Sequence, residues 1–343
     1  MQLSIIGPSH CIDKPKDTGP PPSPAVARSQ IDDWLSAGKP FFSRRAIQAI
    51  NEQLRAPRTN ENMIFVKALD DATIAFEVAG QRGPIGKPCI QYISYESLRA
   101  GKILGSGHPH LIYCPMIIQH AVTATTPLLS GDIPPGIPRR SIDDIHRVFK
   151  TALHIWEESD TWRQLKATFL TIRTLPNIRK IIAFACGTMS FADEVPGSSY
   201  NAIFQHAFLV SLQRLLQKQK DTSDQQRITC SVQDPAYTDG DRVVLATYGI
   251  SILDDPEGFL VVNDESLVFS CAPDIPVKQI IVDIASLAII IWDRVGDGSD
   301  SGEADPDSPR VRQVMARFYD TFQFPQEEHF GDMAIYVRRH EID

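Results

Sequence analysis

The residues that could do chemistry in this 343-residue chain gather where its apolar runs end. The run KIIAFAC over 180–186 is followed by Gly187, Thr188, Met189 and Ser190. RITCSV over 227–232 leads into Gln233, Asp234, Pro235 and Tyr237, and GISIL over 249–253 into Asp254, Asp255, Pro256 and Glu257. SLVFSCA over 266–272 precedes Pro273 and Asp274, and LAIII over 287–291 precedes Trp292 and Asp293. Every run but the first therefore delivers a carboxylate. Carboxylates gathered on one rim raise one another's pKa values, a cost that folding alone does not require. A bound cation removes that cost. A guanidinium is the best match, because its planar fork takes two parallel hydrogen bonds from paired oxygens; an amine or Mg²⁺ suits the same oxygens. Taken singly, Asp234 or Asp254 can instead cap the turn or helix that follows.

Ser190 stands just past a strand end, where a hydroxyl can serve as nucleophile. No histidine is adjacent in sequence to activate it; His206 lies further on, beside an apolar stripe where a core or surface role is the ordinary one. The glycine at 187 is not part of a G-x-G-x-x-G dinucleotide fingerprint. The six cysteines form no C-x-x-C pair, and Cys186, Cys230 and Cys271 sit in apolar runs as small buried hydrophobes of a reducing compartment. No metal and no cofactor is expected.

Five apolar runs alternating with amphipathic stretches at 200–216, 239–248 and 277–285 predict an α/β fold, a Rossmann-like, mostly parallel sheet with helices on both faces and right-handed crossovers. In such sheets ligands bind beyond the carboxyl ends of the strands, which is where the residues above fall. Upstream, Ser141 opens a helix with Asp144 at the capping-box position and Ile145, Val148, Phe149, Leu153 and Trp156 at helical spacing. A helix capped by Ser43 is expected over 43–54, a hairpin over 63–68 and 73–78, and a strand over 89–95. Downstream come an acidic loop over 295–310, a helix over 311–322 and a short strand over 333–338. The expected organisation is a mobile proline-rich N-terminus at 1–30, an α+β region at 31–138, the Rossmann-like domain at 139–296, and the loop with its closing helix and strand at 297–343.

Hydrophobic residues make up 43% of the chain, an ordinary share for a globular protein. No stretch of about 18 apolar residues is present, so no membrane span is expected. The apolar start lacks a basic flank, which argues against a signal peptide and for a cytoplasmic protein. The net charge of −8 is uneven: residues 1–200 hold 22 Lys and Arg against 18 Asp and Glu, and residues 201–343 hold 12 against 24. One half can face an anionic partner while the other holds a cation. The basic residues cluster at Arg44, Arg45, Arg55 and Arg58, at Arg139, Arg140, Arg147 and Lys150, and at Arg163, Lys166, Arg173, Arg179 and Lys180. Contact with nucleic-acid phosphates needs only such clustered charge.

The runs QDPAYTDGD, GISILDDPEGF, SLVFSCAPDIPVKQIIVDIA and AIIIWDRV resemble the sensitivity-to-red-light-reduced family in its fungal form, over about residues 140–296. Plant and animal members of that family are described as regulators. Some fungal proteins of this appearance are arginine-containing cyclodipeptide synthases, which take arginine and a second amino acid from their charged tRNAs. The resemblance thus implies two alternatives: a tRNA-dependent synthase, or a non-catalytic regulatory protein. For the synthase, the strand-end residues read above supply the expected site, with Ser190, Asp254, Asp255 and Glu257 as the catalytic set. Gly187, Thr188, Gln233, Asp234, Tyr237, Asp274 and Asp293 would bind substrate, and Arg139, Arg140, Arg147 and Lys150 would bind tRNA. Bacterial cyclodipeptide synthases carry an acylated serine just after a strand. Ser190 is in a comparable place, but the surrounding bacterial motif is absent. No ATP site is required, because the aminoacyl ester already carries the activation.

Overall fold

A computed structural model describes residues 22–56, 63–78, 85–101, 109–122, 139–172, 177–191, 198–220, 226–296 and 304–339. It divides into two compact units. The first comprises Met1–Asp132, Asp274–Ile284 and Gly298–Val311, and the second Ile133–Pro273, Ala285–Asp297 and Arg312–Asp343.

The first unit opens with α1 (Pro24–Ser36) and α2 (Arg44–Arg55), capped by the hydroxyls of Ser23 and Ser43. Residues 24–30, expected to be mobile, are therefore helical. Pro24 occupies a first-turn position, where its missing N–H costs nothing. The rest of the expected N-terminal tail, 1–21, lies outside the described residues, as do Cys11, Arg58 and Arg173. The hairpin forms as β1 (Met63–Lys67) against β2 (Thr73–Glu77), antiparallel. β3 (Ile85–Tyr92), α3 (Tyr95–Arg99) and β4 (Met116–Val122) follow, with β3 pairing antiparallel to β4. The strand expected over 89–95 thus starts earlier and ends at Tyr92, because Ser94 caps α3 and draws Tyr95 into the helix.

The second unit begins with α4 (Ile142–Glu158), capped by Ser141, and α5 (Asp160–Thr171), capped by Ser159. Then come β5 (Lys180–Phe184), α6 (Ser198–Gln219), β6 (Thr229–Gln233), α7 (Asp239–Thr247), β7 (Ile250–Ile252), α8 (Glu257–Val261) and β8 (Ser266–Ser270). After β8 the chain enters α9 (Val277–Ile284), which is counted with the first unit, and returns as β9 (Ile289–Asp293). α10 (Pro309–Phe318), β10 (Tyr319–Gln323) and β11 (Met333–Arg338) close it. The helix expected over 311–322 ends at Phe318. Its last turn is β10, because Tyr319–Gln323 pairs with β11 and the Tyr319 hydroxyl donates to the Leu287 carbonyl at 3.1 Å.

The strand order is β10-β11-β9-β8-β5-β6-β7. β5, β6, β7, β8 and β9 are mutually parallel, and β11 runs antiparallel to both β9 and β10. The expected mostly parallel Rossmann-like sheet is present. The chain proceeds from β5 outward to β7, then crosses to β8 on the opposite side of β5. The order therefore reverses between β5 and β8, the place where open sheets of this kind leave a crevice. On one sheet face Phe208 of α6 packs edge-on against Phe324 and Phe330 and tilted against Phe269, with Trp156 of α4 closing the group. Cys186, Cys230 and Cys271 are buried here as expected, and burial pushes the Cys230 and Cys271 thiols up to about 12.

Candidate functional site

The loop after β5 is shaped by two residues with positive φ, Ala185 at 58° and Gly187 at 68°. The Gly187 amide donates to Asp234 Oδ2 at 2.9 Å, and Ala236 N donates to the other oxygen at 2.8 Å. One carboxylate at the end of β6 thus fixes the turn beyond β5. The next three residues converge on a side chain that the sequence did not single out, Asp241. It is fully buried. Its Oδ2 accepts from Thr188 Oγ1 at 2.5 Å, Ser190 Oγ at 3.2 Å, Thr238 N at 2.8 Å and Thr238 Oγ1 at 2.9 Å, and its Oδ1 from Met189 N at 2.9 Å. Thr238 and Asp241 also form the capping box that starts α7. The Thr238-x-x-Asp241 spacing is a legible helix start; its long reach to Thr188 is not.

Ser190 is 3% exposed, with Oγ 2.6 Å from Thr238 Oγ1. Its carbonyl accepts from Arg140 N at 2.8 Å, while the Arg140 guanidinium donates to the Met189 carbonyl at 2.9 Å. Arg139 bridges to Phe191. Two of the four residues expected to meet tRNA are therefore fastened to the loop that carries the expected nucleophile. Arg147 pairs with Asp144 on the exposed side of α4, and Lys150 is exposed on the same helix.

Tyr237, expected to bind substrate, is hydrogen-bonded to His206, a pairing the sequence did not reveal. His206 is fully buried on α6; its Nδ1–H donates to the Ala202 carbonyl at 2.5 Å, which leaves Nε2 to accept from the Tyr237 hydroxyl at 2.7 Å. Burial lowers the His206 pKa and raises that of Tyr237 well above 10, so the imidazole is held neutral and the phenol protonated.

Around β7 the acidic residues are arranged unequally. Gln233 donates through Nε2 to Asp255 Oδ1 at 3.0 Å and accepts from Gly258 N at 2.6 Å. A Cβ on Gly258 would stand 2.6 Å from Gln233 Oε1 and 2.9 Å from the Phe184 ring, so a side chain there would have to displace Gln233 or Phe184. Asp254 is exposed and lies 3.7 Å from Arg242. Glu257 opens α8. Asp293, at the end of β9, accepts from Ala272 N at 3.1 Å. Asp274 is exposed and belongs to the first unit. Gly187, Thr188, Ser190, Gln233, Asp234, Tyr237, Asp254, Asp255, Glu257 and Asp293 all follow or end parallel strands, on one edge of the sheet. Among the described residues, Glu327, Glu328 and His329 bring possible metal-ligand atoms within 4.8 Å of one another. No described helix is long and apolar enough to cross a membrane.

No curated protein matches the chain. Among solved structures, one described as the structure of the 16S rRNA methylase ArmA aligns with 58% of this chain and 97% of its own, at 9% identity and a TM-score of 0.27, a likeness too slight to bear on fold or function. The model of the SRR1 domain family matches residues 164–337, from within α5 to the last strand of the sheet. That match spans half of the chain and the whole row of strand-end residues described above, and the protein belongs to the SRR1 domain family.

Proposed function

We propose that the chain is the fungal, synthase-type member of its family: a cytoplasmic enzyme of secondary metabolism that joins arginine to a second amino acid, taking both from aminoacyl-tRNA and using no cofactor. The observation that carries this reading is the fastening of Arg139 and Arg140 to the Ser190 loop. It supports the reading by tying two cations, which would meet tRNA phosphates, to the loop of the candidate acyl acceptor, at the sheet edge that also carries Asp254, Asp255, Glu257 and Asp293. The carboxylates would take the arginine guanidinium through paired hydrogen bonds. Ser190 Oγ would attack the arginyl ester carbonyl and pass its proton to the departing ribose oxygen. The amine of the second aminoacyl-tRNA would then displace Ser190, forming the first amide. The arginine amine would attack the second ester, closing the ring and freeing the second tRNA. Esters are exchanged for amides, so no ATP is consumed. The contribution of the protein is positioning and proton transfer.

A second reading, a non-catalytic regulatory protein, draws support from the near-complete burial of Ser190 and the commitment of its hydroxyl to Thr238 and Asp241. Incubating the protein with tRNA, synthetases and amino acids and analysing the products by mass spectrometry decides between them. The synthase reading expects a cyclic dipeptide containing arginine; no such product with any partner amino acid would leave the regulatory reading standing.

A further inference from the structure

Beyond the acidic rim, the sheet carries two buried polar atoms with no partner among the described residues. They are Ser270 Oγ, at the end of β8, and Trp292 Nε1, in β9. Both side chains are fully buried. Register places them together. Phe184 of β5 is opposite Gln233 of β6 and opposite Ser270 of β8, so these three side chains share a face. Phe269 is opposite Ile291, and Ser270 and Trp292 are each one residue further on, again on that face. The carboxyl edge therefore presents a row, Gln233, Phe184, Ser270, Trp292, across the point between β5 and β8 where strand order reverses. Gln233 is satisfied by Asp255 and Gly258, and Phe184 is stacked on Phe259 with centroids 4.5 Å apart. Among the described residues, the polar atoms of the two members on β8 and β9 have no partner.

Buried polar groups in folded proteins are almost always hydrogen-bonded. An indole N–H can only donate, and a serine hydroxyl can donate as well. Whatever satisfies both is an oxygen acceptor. Asp293, the next residue after Trp292, ends the same strand with its side chain on the other face and contributes its carboxylate to the rim, where it accepts from Ala272 N. We infer that Ser270 and Trp292 form a binding subsite for the carbonyl or carboxylate oxygen of an amino-acid-derived ligand whose cationic end meets the acidic rim. This rests on the proposed function for the identity of the cation, arginine, but not for the subsite itself.

The test uses the full chain and two probes, L-arginine methyl ester, which carries a carbonyl, and agmatine, which keeps the guanidinium and lacks it. Calorimetric titration of the parent is expected to give a dissociation constant at least tenfold lower for the ester than for agmatine, and Ser270→Ala is expected to bring the ratio close to one. Because the Ser270 hydroxyl has no partner to lose among the described residues, Ser270→Ala should melt at or above the parent. Trp292→Phe, which keeps an aromatic ring against Tyr336, should show the same loss of discrimination. A ratio unchanged in Ser270→Ala, or a Ser270→Ala protein that melts below the parent, overturns the subsite. If the arginine ester does not bind but the methyl ester of another amino acid does, with the same dependence on Ser270, the subsite stands and the arginine reading falls. If none of the twenty esters binds the parent, the subsite falls.

Discussion

Asp241→Asn should unsettle the second unit, although the exchange changes almost no volume. The buried carboxylate has five donor groups within hydrogen-bond reach, four at Oδ2 and one at Oδ1, with the Ser190 and Thr238 hydroxyls also bonded to each other, so that one of those two donates to it at a time. An asparagine can keep its one oxygen at the position with four donors. Its NH₂ then faces the Met189 amide, donor against donor, in a fully buried position. A buried donor left unsatisfied costs about 1–3 kcal/mol, so the two together cost roughly 2–6 kcal/mol. Relief of the burial of a charge offsets part of this, which favours the lower half of the range. At about 2–4 °C per kcal/mol for a folding unit of this size, the melting temperature should drop by at least about 4 °C. The control is Asp239→Asn, two residues earlier in the same helical turn but exposed, which should stay within about 0.5 kcal/mol of the parent. Thermal unfolding followed by circular dichroism near pH 7.5 measures both. An Asp241→Asn protein that melts with the parent would refute the claim that this carboxylate ties the Ser190 loop to α7.

The rim should behave in the opposite way. Asp254→Asn, Asp255→Asn and Glu257→Gln proteins are expected to be as stable as the parent, with at least one losing product formation by about 30-fold or more, the equivalent of roughly 2 kcal/mol from one member of a charged pair; full activity in all three would end the acidic-rim reading. His206 should make the second unit acid-sensitive. Its folded pKa is lowered by burial, so below the unfolded value, near 6.5, the unfolded chain binds a proton that the folded one does not. Stability is then lost as pH falls below about 6.5, by at most about 1.4 kcal/mol per pH unit, and urea titrations of His206→Gln should show a shallower dependence than the parent, an equal slope being the refuting result. If tRNA is the partner, its affinity should fall steeply with salt, and Arg139→Glu with Arg140→Glu should weaken binding and flatten the salt slope; filter binding that is indifferent to salt would count against tRNA.

Much of the fold was legible in the sequence, for a physical reason. Strands buried on both faces need continuous apolar runs, and IIAF in β5 or LVFS in β8 cannot be read otherwise when short helical stretches separate them. The end of the chain was less legible. Phe318, Tyr319 and Phe322 have apolar spacing that suits a helix, and the pairing with β11 that makes Tyr319–Gln323 a strand is a long-range fact. α1 was obscured by its setting, because Pro24 follows three prolines at 20–22 and only the serine cap marks the helix start. α5 carries a plain signal, Ser159 as cap and then Trp162, Leu165 and Phe169 at helical spacing, yet it adds a helix to those expected.

The site divides along the same line. Strand-end position is local information, so the residues that follow β5, β6 and β7 can be collected from the sequence by the rule that ligands bind at carboxyl ends. What a side chain does there depends on partners dozens of positions away. Asp234 reads as a rim acid, yet it accepts the Gly187 amide 47 residues earlier and shapes the loop. Asp241 reads as the fourth residue of a capping box, yet it organises Thr188, Met189 and Ser190 across more than fifty residues. His206, on an apolar helix, takes its tautomer from the carbonyl four residues back and its partner from Tyr237. The carboxylates that the sequence groups as one acidic rim thus separate by what they already hold. Asp241 and Asp234 are engaged by the backbone and hydroxyls of their own loops, whereas Asp254 faces solvent in a long, exposed ion pair with Arg242 at 3.7 Å. Asp254 at the β7 turn is the most exposed of these acids, and the charge-removing substitutions that discriminate between an enzyme and a regulator belong at that turn, at Asp254, Asp255 and Glu257, where they leave the Asp234 and Asp241 networks intact.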